Sequence, residues 1–83
     1  MDIKTLEYME ERVVKARVIV NTIEQLRKNI EGVKNTKHIH FIHEGGYFLF
    51  DTKFGGLTET MKVSYELAAK EEIKMLEQEL AEL

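Results

Sequence analysis

Two long stretches of this chain repeat their apolar residues at spacings of three and four, and a short stretch between them alternates instead. Three-four spacing suits one face of a helix, and alternation suits a strand. The chain is therefore expected to fold as helix, strand pair, helix. In the first stretch Leu6, Met9, Val13, Ala16, Val20, Ile23 and Ile30 mark an a/d seam, with Arg27 at the one position where it breaks. In the last stretch Met61, Tyr65, Ala69, Ile73, Leu76, Leu80 and Leu83 continue the same spacing. Asp2 is a candidate N-cap, and Gly32 and Asn35 are stop signals for the first helix. The expected fold is α+β, an α-ββ-α chain in a single domain over residues 1–83. Its helices are placed at about 2–34 and 57–82, and its hairpin at about 37–51.

The middle, from Lys37 to Asp51, holds all three histidines and the pair Gly45-Gly46. Two glycines suit a two-residue turn with positive φ at both central positions. That turn sets Glu44 opposite Tyr47, His43 opposite Phe48, Ile42 opposite Leu49, Phe41 opposite Phe50 and His40 opposite Asp51. One face then carries Ile39, Phe41, His43, Phe48 and Phe50 and is expected to pack on the helices.

An 83-residue chain buries a modest fraction of its surface, and it has no cysteine with which to staple itself. A further subunit is the expected source of stability. The first helix points the same way. Val13, Val14, Ala16, Val18, Ile19 and Val20 leave almost no polar side, so one partner helix cannot cover them all. The hairpin edges would also be open to pairing between subunits. A homo-oligomer built through the hairpin and the helix faces is expected, in the cytoplasm. No apolar run approaches the ~20 residues of a membrane span, and the opening Met1-Asp2-Ile3-Lys4 lacks the pattern of a signal peptide.

The net charge of −3 is uneven. Residues 57–83 carry three basic and seven acidic side chains, whereas residues 1–34 carry seven and six. An acidic end disfavours nucleic-acid binding, and the hairpin carries His and Phe where a groove reader would carry Arg, Lys or Asn. No nucleophile elbow or metal-helix motif accompanies the dyads that His43 with Glu44, or His40 with Asp51, would form. The chain is read as non-enzymatic and without a cofactor. Two readings of His38, His40 and Asp51 stay open: a cross-strand hydrogen bond at a polar rim, or a weak metal set. The candidate ligand surface is His38, His40, Tyr47, Asp51 and Lys53, with the amides of Gly55 and Gly56 before the last helix. Histidines, an aromatic ring, the nearby Lys37 and Lys53, and a helix N-terminus suit a small anionic, ring-bearing ligand.

Helix, hairpin and helix with heptad-patterned arms resembles a short β-type prefoldin subunit in outline. The opening Leu6-Glu7-Tyr8-Met9-Glu10-Glu11-Arg12 and the ending Leu76-Glu77-Gln78-Glu79-Leu80-Ala81-Glu82-Leu83, in a chain without cysteine or proline, resemble the small accessory proteins of phages of Gram-positive bacteria. That resemblance implies a counter-defence inhibitor that sequesters its target, a small nucleotide-type ligand. The alternatives are an inhibitor that occupies a host protein and a structural coiled-coil assembly module.

Overall fold

The computed structural model describes residues 2–46 and 55–83 in full and residues 47–50 through their backbone. Chain order is α1 (Ile3–Lys34), β1 (Ile39–His43), β2 (Gly46–Phe50) and α2 (Gly55–Ala81). Asp2 caps α1 by accepting the Thr5 amide at 2.7 Å. Asn35 ends it: its backbone N–H turns back to the Gly32 carbonyl, the Thr36 N–H to that of Val33, and the Asn35 side chain donates to Glu31 O at 3.2 Å. Gly32 lies inside the last turn, not beyond it. Gly55 and Gly56 open α2 as its first helical residues.

The two helices form an antiparallel pair, and among the described residues the buried apolar core lies between them. Ile19, Ile23 and Ile30 of α1 meet Ala69 and Ile73 of α2, with Leu26, Tyr65, Leu76, Leu80 and Leu83 packed around them. The α2 seam is the one its spacing predicts. The α1 seam is not. It runs through Ile19, Ile23, Leu26 and Ile30 to the half-buried Val33. Leu6, Met9, Val13 and Val20 stay on the surface, with Val13 54% and Val20 39% exposed. Choosing Ile19 and Leu26 in place of Val20 and Arg27 keeps the three-four rhythm and removes the break. Arg27 is thereby free to reach across to Glu77 at 3.2 Å.

These observations correct the expected fold class. The α+β, α-ββ-α arrangement treated the hairpin as a layer packed on the helices. The protein is instead a predominantly α-helical hairpin, with 32 and 27 of its 83 residues in two helices. The extended segment is a ribbon of two five-residue strands with no buried residue on β1. It meets the helices through a limited contact of β2 with α2. Ile42 is 85% exposed. Ile39 and Phe41 line an apolar cleft of about 350 Å³ together with Val33, Met61 and Tyr65.

The turn also differs from expectation. His43 lies opposite Gly46, Ile42 opposite Tyr47, Phe41 opposite Phe48, His40 opposite Leu49 and Ile39 opposite Phe50. The turn is centred on Glu44 and Gly45, and Gly46 alone takes a positive φ, of 140°. Nδ1 of His43 accepts the Gly45 amide at 3.1 Å, a local bond that holds the earlier turn. Each partner moves by two positions, so residues keep the strand parity that the alternation assigns them.

Ion pairs lace one side of the helix pair. Glu66 receives Lys70 at 3.1 Å and Lys34 at 3.6 Å, and Lys34 also reaches Glu31 at 3.4 Å. The Lys70 bond, supported by the charge of both lysines, holds the Glu66 carboxyl below its ordinary 4.5. Glu31 first and Glu66 second hold the Lys34 ammonium above its ordinary 10.5. At the far end Arg12 donates to the Leu83 carbonyl, placing a cation at the negative end of the α2 dipole.

Two predictions follow from this packing. Ile73→Ala should lower stability in urea by about 2–4 kcal/mol, whereas Val14→Ala, on the open side of α1, should change it by less than about 0.5 kcal/mol. A depressed carboxylate contributes stability above its ordinary pKa and loses it as pH falls through the folded value. Glu66→Gln should therefore flatten the stability profile on the acid side of 4.5. An identical acid limb in the variant would mean the clamp contributes nothing.

Candidate functional site

Helix α1 ends at Lys34 and α2 begins at Gly55, so the C-terminal end of one helix lies beside the N-terminal end of the other. Between them opens a cavity of about 510 Å³ lined by Lys34, Asn35, Thr36, Lys37, Gly55, Thr58, Glu59 and Lys62. Three lysines face one glutamate there. The Lys62 side chain is only 15% exposed, with its ammonium held 3.4 Å from Glu59. Its stem is therefore fixed by packing, and only its head is presented. Thr58, one turn earlier, is buried. Gly55 places the first turn of a 27-residue helix at the wall. The first turn of a helix carries partial positive charge from its aligned peptide dipoles.

Of the expected ligand residues, His38, His40, Gly55 and Gly56 are described in full and Tyr47 through its backbone. His38 lies in the exposed bend before β1, and His40 is exposed on β1 opposite Leu49. Tyr47 lies on β2 opposite Ile42. Asp51 and Lys53 lie outside the described residues, so the proposed rim of His38, His40 and Asp51 does too. His40 has Leu49, not Asp51, across the ladder. Among the described residues no three His, Asp or Glu side chains converge as a metal set would. Gly55 lines the cavity, and Gly56 follows it in α2.

Lys34, Lys37 and Lys62 were not singled out together by the sequence, although a signal was there. Lys34 and Lys37 bracket the end of the first helix, and Lys62 follows Thr58 at i,i+4 in the first turns of the second. Any connection that folds the helices back on each other brings those two groups together.

No described helix is long and apolar enough to cross a membrane. No protein-family model, curated protein or solved structure matches the chain.

Proposed function

We propose that the protein is a non-enzymatic, homo-oligomeric binding protein that sequesters a small anionic ligand at the basic end of its helix pair. The observation that carries the reading is the convergence of Lys34, Lys37 and Lys62 on one cavity beside the first turn of α2. Ammonium groups and helix N-terminal amides favour phosphate or carboxylate. The cavity is of the size a nucleotide-type ligand needs. Charge and amides of this kind supply capture without turnover. Such capture is the role implied by the likeness to phage accessory proteins that inhibit a host defence.

Homo-oligomerisation is supported by how little the helix pair covers. Among the described residues its buried apolar core is five residues, while Leu6, Met9, Val13, Val14, Val18 and Val20 are exposed along α1. A contiguous apolar surface of this kind marks an interaction site. A second reading, a protein-binding inhibitor, is favoured by the apolar cleft at Ile39, Phe41, Met61 and Tyr65.

Calorimetric titration with ATP and with pyrophosphate tests the first reading. Binding is expected, with Lys37→Glu plus Lys62→Glu weakening it by roughly tenfold or more and His40→Ala leaving it unchanged. A wild-type protein that binds neither probe at millimolar concentration would remove the ligand reading and leave the protein-binding one. Loss of binding in the His40 variant would return the site to the hairpin.

A further inference from the structure

α1 carries two apolar seams about a sixth of a turn apart, which share the row of Ile23 and Ile30, and α2 fills only one. The filled seam is Ile19, Ile23, Leu26 and Ile30. The open seam is Leu6, Met9, Val13, Ala16 and Val20, whose first three and last members are exposed. We infer that the open seam is the binding face for a second copy of α1, running antiparallel across a two-fold axis. Val13 then faces Ala16 and Met9 faces Val20 of the second copy. This deepens the homo-oligomer reading above and rests on it.

Charge selects both the direction and the register. On the flank of the open seam, away from α2, one heptad position holds Glu10 and the next holds Arg17. A two-fold interface is self-complementary, so whatever Glu10 meets is met in return. In the proposed register Glu10 meets Arg17 of the second copy, and Arg17 meets its Glu10. Neither residue has an ion pair within the chain among the described residues. A slide of one heptad in one direction sets Glu10 against Glu10, and in the other sets Arg17 against Arg17. A parallel pair sets Arg12 against Arg17.

The same register accounts for the break in the seam. Arg27, the one charged residue at a seam position between Leu6 and Ile30 and already paired with Glu77 of its own chain, falls level with Asp2 of the second copy. The Asp2 carboxylate spends Oδ1 on the Thr5 amide, and a carboxylate has a second oxygen to offer. Residues 3–11 of α1, which run past the Arg12–Leu83 contact that marks the end of α2, are then covered by the second copy.

The test is a charge exchange read by sedimentation equilibrium, with helicity followed by circular dichroism to show that each variant folds. Glu10→Arg and Arg17→Glu, taken singly, each create two like-charge contacts per dimer and should weaken self-association about tenfold. Mixed in equal amounts, they form a heterodimer in which every such contact is attractive again. The mixture should associate at least as tightly as wild type. A mixture as weak as either variant, beside a wild type that associates, would overturn this interface while leaving the homo-oligomer reading standing. A wild type that stays monomeric at millimolar concentration would overturn both.

Discussion

The structure depends on one contact: a stripe of isoleucines on α1 packed into the smaller Ala69 and the matching Ile73 of α2. Without it neither helix has reason to persist. Val and Ile, frequent in the middle of α1, are mediocre helix formers, and isolated helices in water are marginal. The seam also brings Lys34 and Lys37 to Lys62, because it fixes which end of α1 lies beside which end of α2. The basic cavity is thus a consequence of the interhelical core, and so is the exposure of everything the core leaves out.

What it leaves out is large. A helix pair buries one stripe on each helix, and α1 has apolar residues nearly all round its middle. The cross-helix ion pairs of Glu66 and Glu77 border the seam but are exposed, and screened pairs of that kind add little stability. Two features therefore coexist on the same scaffold: an open apolar seam near the N-terminal half of α1 and a basic cavity at the other end. The separation would let the proposed assembly and the proposed ligand capture use different surfaces.

The helices were legible in the sequence because their spacing is regular and their caps are explicit, as at Asp2 and Asn35. The α2 seam was legible for the same reason. The α1 seam was not, because Ile19 with Leu26 and Val20 with Arg27 satisfy the same rhythm one residue apart. The sequence held a hint at Arg27, since a charge at a seam position argues for the neighbouring choice. The hairpin turn was misplaced by a residue. Gly45-Gly46 favours its own turn, but the His43 imidazole bonding the Gly45 amide settles the chain on Glu44-Gly45, and composition does not show that bond. The α+β class failed on proportion: a strand pair can be present without forming a layer. The lysine cavity was missed because its members lie 25 residues and more apart on either side of the connection, and only the fold makes them neighbours.

The account stands most directly on the claim that the interhelical seam is the cooperative core and the ribbon an appendage. Amide hydrogen exchange followed residue by residue tests it. The slowest amides should be those of residues 19–30 and 69–76, exchanging together through global unfolding, with residues 39–43 exchanging far sooner by local opening. Protection of β1 equal to that of the helices would contradict the account, because it would place the hairpin inside the core.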